Sequence, residues 1–334
     1  MVALGPATDG GQEPGLVPLS YARGQGLREL FGGVRNVRRL LRDEPVDVVL
    51  AHGGWAAQVV ALAAPRRGPA LVWQRILGFP QDVWRPTRRW WWRAVARRFD
   101  AAVALTADLE VELRRLGFDR PVWVIPNSRN PARFADLDRS LAESRLRAEI
   151  GADAGVRLIG FVGHLVRQKR PERALAVLAE VLDQGRPAHL VIAGDGPLRP
   201  SLEAEVRRRG LEGSVTFLGH RTDVEQILGG VELALLTSEA EGIPGVAIES
   251  LMAGCPLVTV PVGGVAEVVE DGVTGIVAIV DDPVELARAV VQLLDDGETR
   301  LEMGRIGRLQ TARFSGASTA EVYAERLGTL LASG

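Results

Sequence analysis

Residues 233–254 constrain the fold more than any other stretch of the chain. Leu233, Ala234, Leu235 and Leu236 make a short unbroken apolar run, the pattern of a strand buried on both faces. Residues 237–244 interrupt it with small and acidic side chains and a proline. From Gly245 the apolar spacing becomes helical, and it stops at Gly254, a residue suited to ending a helix. Strand, loop and helix in that order predict a parallel α/β sheet, which binds ligands beyond the carboxyl ends of its strands. Glu241 falls in the loop and Glu249 about one turn into the helix. The start of that helix offers free N–H groups and the positive end of a dipole, both suited to phosphate. Two glutamates at this separation are a weak signal alone, because a solvated helix face produces the same spacing.

The same unit recurs along the chain. Apolar runs at 156–163, 188–193, 215–219 and 256–262 each end at a glycine-containing turn: Gly163, Gly194 with Gly196, Gly219, and Gly263 with Gly264. Helices are predicted over 172–182 and 198–209, and another behind Gly264, with Asp281 and Asp282 closing the pattern. In the front part, helical spacing over 26–42 leads to a strand ending at His52 and Gly53, then a short helix over 57–64 and a strand over 70–76. A strand at 101–106 follows, with Thr106 capping a helix over 108–116. The last strand of this part ends at Pro126 and Asn127. The 334 residues suffice for two α/β domains, and 46% hydrophobic with 25% charged residues is an ordinary globular balance. No apolar run is long enough to span a membrane and no leader is read at the start. The single cysteine, Cys255, excludes an internal disulfide and reads as a buried small thiol. No His/Cys cluster has metal-ligand spacing, and Asp136 with Asp138 lies in a polar linker. The default expectation is a cytoplasmic protein with no metal and no cofactor.

The succession Glu241, Gly242, Ile243, Pro244, Gly245, Glu249, Ser250, Ala253, Gly254, Pro256 resembles the donor-site signature of retaining glycosyltransferases of family 4, which have the GT-B fold. Four further motifs resemble the family in order: the strand to His52, the turn at Pro126 and Asn127, the loop from Gly163 to Lys169, and Gly194, Asp195, Gly196, Pro197. The resemblance implies two Rossmann-like, doubly wound domains facing a cleft: residues 1–135 on the acceptor side, 136–312 binding the donor, and a helix over 313–334 packing back on the first domain. It implies a nucleotide-sugar as co-substrate and a glycan, a lipid or a small molecule as acceptor. Lys169, the sole lysine beside 39 arginines, falls on the family's diphosphate lysine. Glu241 would hold the donor sugar's hydroxyls and Glu249 those of the ribose. The backbone of Gly242, Ile243, Pro244, Gly245 and Val246 would face phosphate. Gly163, His164, Gly194 and Gly196 would admit the donor, and Leu218, Gly219 and His220 would border the nucleobase. His52 would meet the acceptor or the donor sugar, or is a structural histidine. Expected catalytic residues are therefore Glu241, Lys169 and His52.

The chain departs from the pattern in places. Ser128 replaces a glycine after Asn127, and His164 stands where the family carries an arginine, so one fixed charge becomes pH-dependent. Arg75 lies where many members place a histidine near the reacting sugar, and a guanidinium is no base at neutral pH. The family's opening strand, Gly-rich turn and helix are not recognised before or at Gly10 and Gly11, so the first domain is expected to lack its first strand and helix. These departures leave a rival reading, a truncated or degenerate nucleotide-sugar-binding protein with little transfer activity. A nucleotide-sugar epimerase of the same fold would want more acid/base groups in the first domain. Residues 1–135 carry 20 Arg against 12 Asp and Glu, while 136–334 carry 20 Arg and Lys against 30. The front part should thus favour an anionic partner. Within it, residues 84–99 place Trp91, Trp92, Val95 and Phe99 on one helical face and Arg89, Arg93 and Arg97 on another, beside Trp90. Such a helix either packs on the core with its arginines solvated or lies on an anionic membrane, which would make the protein peripheral to the membrane's inner face. No nucleic-acid motif accompanies it, and no nucleic-acid partner is expected.

Overall fold

The computed structural model describes residues 2–3, 26–279 and 282–332. The chain divides into two compact units, Met1–Pro126 with Thr319–Gly334, and Asn127–Ser318. Gly10, Gly11 and Asp281 lie outside the described residues.

The first unit contains β1 (Val2–Ala3), α1 (Leu27–Asp43), β2 (Val48–His52), α2 (Gly53–Ala63), β3 (Ala70–Arg75), α3 (Pro86–Ala96), β4 (Ala101–Ala104), α4 (Ala107–Leu116) and β5 (Val122–Val124). The strands are parallel and lie in the order β1-β2-β3-β4-β5. Every residue of β4 is buried, which explains its run of small apolar side chains. Thr106 caps α4, its side chain accepting from Leu109 N, and Gly117 ends the helix at φ 99°. Trp73 on β3 is fully buried and stacks on Trp92 with ring centroids 5.7 Å apart, while Phe79 and Phe99 meet it edge-on and tilted. Helix α3 is therefore anchored by Trp92, and by Trp91 donating to Gln58. Trp90 on its other side is 70% exposed.

The second unit opens with α5 (Arg139–Ile150), then β6 (Arg157–Val162), α6 (Pro171–Asp183), β7 (Ala188–Ala193), α7 (Arg199–Arg209), β8 (Val215–Gly219), α8 (Val224–Gly230), β9 (Leu233–Leu236), α9 (Gly245–Met252), β10 (Leu257–Thr259), β11 (Gly275–Val277), α10 (Pro283–Asp295) and α11 (Gly297–Gln310). Helix α12 (Gly316–Ala332) belongs from Thr319 on to the first unit, and its Tyr323, Leu327 and Leu330 pack with Val72, Ala101, Val103 and Ile125 in that unit's own core. Burial there pushes the Tyr323 hydroxyl up to about 12.

The second unit's parallel strands lie in the order β11-β10-β9-β6-β7-β8. The chain steps outward from β6 to β8 and then returns to β9 on the other side of β6. That reversal is the topological switch point of a doubly wound sheet, and the loops after β6 and β9 diverge there. The five described strands of the first unit run in sequence order without such a reversal. One boundary and one element differ from expectation. The units part at Pro126 rather than at 135, because residues 127–137 bond and pack within the second unit: Arg129 N donates to Phe314 O, and Phe134 and Leu137 are buried. The segment behind Gly263 is a short 3-10 turn, Gly263–Glu267, rather than a helix, since Val268 and Val269 turn into the core. Asp138 caps α5 by accepting from Leu141 N, which accounts for it without a metal.

Candidate donor site at the switch point

The loop after β6 and the loop after β9 are stitched together. Glu239 N donates to Gln168 O at 2.8 Å, Gln168 Nε2 to Ala240 O at 2.7 Å, and Thr237 Oγ1 to Lys169 O and Arg170 O. Arg170 ends the short turn after β6 at φ 48°, a left-handed conformation that favours glycine. This geometry holds Lys169 over the second loop, where Nζ donates to Glu241 Oε1 at 2.5 Å. The glutamate side chain is 8% exposed and the lysine 24%. Arg173 is buried behind them, and burial lowers its pKa, with Arg170 adding to the shift.

The loop then turns into α9. Gly242 O accepts from Gly264 N at 2.5 Å and Ile243 O from Asn127 Nδ2 at 2.8 Å. A Cβ on Gly263, where φ is 50°, would stand 2.0 Å from Glu241 O, so only glycine lets the two backbones meet. Pro244 precedes the helix without a side-chain cap, and the N–H groups of Gly245 and Val246 find no acceptor among the described residues. Those two groups are the natural seat for an anion. Glu249, one turn on, is half-buried. Its Oε1 accepts from Arg129 Nε at 2.7 Å.

A cavity of about 530 Å³ opens at the ends of β6, β7 and β8, within the range of small-molecule sites. Gly163, His164, Gly194, Gly196 and His220 line it, joined by Asp195 and Arg221. Gly194 N donates to Gly219 O at 2.7 Å, and a Cβ on Gly194 would stand 1.9 Å from Gly163 O. The register between β7 and β8 slips so that Ala193 pairs with Gly219, and Leu218 is the extra residue of that bulge. Arg221 is locked by Asp223 and Glu149, which raise its pKa.

Of the residues singled out in the sequence, the structure thus gathers Gly163, His164, Gly194, Gly196 and His220 around one cavity. It gathers Lys169, Glu241, Gly242, Ile243, Pro244, Gly245, Val246 and Glu249 along one strip of loop and helix. His52 belongs to the first unit, exposed at the end of β2, with Nδ1 2.8 Å from Gln74 Oε1. The amide oxygen accepts, so Nδ1 carries the proton and Nε2 is left as an acceptor in the neutral ring. Arg75, at the end of β3, is buried. Its guanidinium lies 4.0 Å over the Phe79 ring, it is 6% exposed, and burial lowers its pKa to about 10 against the opposing pull of Glu112. Cys255 is fully buried and burial raises its pKa, as befits an inert thiol. Sequence reasoning missed Arg129, whose only signal was its place two residues after Asn127.

A doubly wound unit with a polar strip at its switch point and an open cavity beside it, preceded by a second parallel α/β unit, defines the GT-B class. Comparisons with known proteins sharpen this. The family model of glycosyl transferases group 1 matches residues 143–310, and that of glycosyltransferase family 4 matches residues 2–133. The chain belongs to the glycosyl transferases group 1 family and carries the family 4 amino-terminal region. It is 33% identical over 254 residues to alpha-D-kanosaminyltransferase of Streptomyces kanamyceticus, covering 73% of this chain and 65% of that protein. It is 32% identical to D-inositol 3-phosphate glycosyltransferase of Nocardia farcinica, covering 70% and 53%. The chain thus spans about half to two thirds of the length of these curated relatives. Among solved structures, sucrose-phosphate synthase from Thermosynechococcus elongatus superposes with TM-score 0.82 at 19% identity, covering 97% of this chain and 86% of that one. Anabaena HepE, in complex with UDP and glucose, superposes at 0.78 and 21% identity, covering 94% and 86%. These two likenesses concern the fold.

Proposed function

We propose that this protein transfers a sugar from a nucleotide-sugar donor to an acceptor hydroxyl, with retention at the anomeric carbon. The Lys169–Glu241 pair at the ends of β6 and β9, one loop ahead of Glu249, is the observation that carries the reading. The nucleoside would occupy the cavity at Gly163, Gly194 and His220, bordered by Leu218 and Gly219, and its ribose hydroxyls would donate to Glu249. Lys169 and the N–H groups of Gly245 and Val246 would hold the diphosphate, and Glu241 would accept from the donor sugar. The acceptor oxygen would bond to the anomeric carbon as the bond to the leaving phosphate breaks, and that phosphate would take the acceptor's proton. The protein's part is then to orient the donor and stabilise charge on the leaving diphosphate, a task that asks for no metal or cofactor. His52 Nε2, as a free acceptor, would contact a hydroxyl of the acceptor or of the donor sugar.

Relatives named as glycosyltransferases support the activity, and HepE's complex with UDP puts uridine donors first among those to try. No helix among the described residues is long and apolar enough to cross a membrane. Exposed Trp90 beside Arg89, Arg93 and Arg97 fits a cytoplasmic protein that touches an anionic membrane surface. The test is a thermal-shift screen of UDP-, GDP-, ADP- and dTDP-sugars, followed by NMR of the product's anomeric configuration. A donor bound without transfer to any acceptor tried would favour the binding-protein reading. No shift with any nucleotide-sugar would remove the donor site itself.

A further inference from the structure

Arg129 lies outside the motifs that carry the family resemblance, yet it occupies the start of α9. Its Nε donates to Glu249 Oε1 at 2.7 Å and its Nη1 to Ser128 O at 2.9 Å. Its Nη2 stands 1.4 Å from where a Cβ on Gly245 would be, so the guanidinium rests directly on the first residue of the helix. Among the described residues Nη2 has no acceptor, and neither have the N–H groups of Gly245 and Val246 beside it. A cation resting on the positive end of a helix is unfavourable unless an anion joins it. Glu249 answers one edge of the guanidinium only. The arginine's planar fork can hold a carboxylate on one edge and a phosphate on another.

We infer that Arg129 binds the first phosphate of the donor, the one attached to the ribose, and orients Glu249 for the ribose hydroxyls. This rests on the donor-site reading above. Glu249 marks the ribose end of the donor and Glu241 the sugar end, so the two cations divide the diphosphate. Arg129 takes the phosphate next to Glu249, and Lys169, bonded to Glu241, takes the other. A guanidinium is thereby present in a strip where His164 stands in place of the family's arginine. Gly245 is part of the device, because any side chain there displaces the guanidinium.

Calorimetry with UMP, UDP, GMP and GDP tests the division on wild type and four variants. Arg129→Ala is expected to weaken monophosphate and diphosphate by the same factor, about tenfold, the loss of one charge-assisted hydrogen bond. Lys169→Ala should weaken the diphosphate selectively. Gly245→Ala should reproduce Arg129→Ala: the clash is with the end of a flexible side chain, so the fold survives. Arg129→Lys should recover part of the monophosphate affinity, which keeps the test open if Arg129→Ala folds poorly. Monophosphate affinity unchanged or raised in Arg129→Ala would overturn the inference and make Arg129 a competitor for Glu249. Wild type binding none of the four nucleotides would overturn the donor-site reading itself.

Discussion

Replacing Lys169 with alanine removes a cation held 2.5 Å from Glu241 Oε1 and strands a carboxylate that is 8% exposed. A hydrogen bond to a charged group contributes about 1.5–3 kcal/mol, and breaking one side of a buried pair costs about 3–5 kcal/mol. The lysine is 24% exposed, so water can reach the stranded charge and the lower range applies, about 2 kcal/mol. For a unit the size of Asn127–Ser318 that lowers Tm by about 4–8 °C. Removing both charges, Lys169→Ala with Glu241→Gln, should recover roughly half of the loss, because no buried charge is then left alone. For ligand, two unit charges 4 Å apart interact by about 4 kcal/mol at an effective dielectric of 20. Part of this is offset because the lysine must share itself with Glu241, which leaves about 2 kcal/mol, or roughly thirtyfold in diphosphate affinity. Melting curves without ligand and calorimetry with UDP and UMP check both figures. Lys169→Arg should restore only part of the diphosphate affinity, the guanidinium being larger and planar. An unchanged Tm, or equal losses for UDP and UMP, would refute the placement of this lysine's charge between Glu241 and the outer phosphate.

Gly194→Ala should destabilise the second unit by about 3 kcal/mol or more and abolish the nucleotide-induced thermal shift, since the new Cβ meets Gly163 O at 1.9 Å and φ is 148°; normal melting and binding would show the turn to be pliable. His189 is buried and burial lowers its pKa from 6.5, so the fold keeps it neutral while the unfolded chain takes up a proton. Its contribution to stability is complete above pH 6.5 and is lost as pH falls toward the folded value. His189→Gln, which keeps a donor for Thr216, should flatten stability against pH below 6.5, and an unchanged slope there would count against it. Trp90→Ala should leave stability within about 0.5 kcal/mol of wild type, the side chain being 70% exposed, and should reduce sedimentation with anionic vesicles at low salt. Equal pelleting of the two proteins would take Trp90 off any membrane surface.

What could be read in the sequence was what is local and periodic. The strands of the second unit are short apolar runs closed by glycine, and those glycines carry backbone approaches no other residue permits, as at Gly194 and Gly263. Helix starts were legible where a cap or proline marks them, as at Thr106 and Pro171. Arg170 was harder. It holds a left-handed conformation, at φ 48°, that favours glycine, and nothing in the residue type announces that. The fate of Arg75 was not legible, because nothing in its neighbours announces that Phe79 will fold beneath its guanidinium.

Arg129 and the misplaced domain boundary are one problem. The resemblance places residues 127–135 with the first domain, yet they form a polar, proline-containing stretch after the apolar strand that ends at Pro126. Such a stretch belongs to whichever unit satisfies its polar groups. Asn127 finds the carbonyl of Ile243, Arg129 finds Glu249 through its side chain and Phe314 O through its backbone, and Arg133 finds Glu225 and Thr222 O. All of these partners lie more than eighty residues away, beyond the reach of any periodicity. Composition concealed the point further. Residues 136–334 are net acidic, which argues against a cationic site there, whereas the strip at the switch point gathers Lys169, Arg170 and Arg173 and takes Arg129 from the basic front part. Net charge governs the long-range field, while a phosphate responds to the few donors within hydrogen-bond reach. A chain with 39 arginines gives no compositional reason to choose one of them, so a residue of this kind becomes visible only when its guanidinium is seen resting on a helix start with a donor unmet.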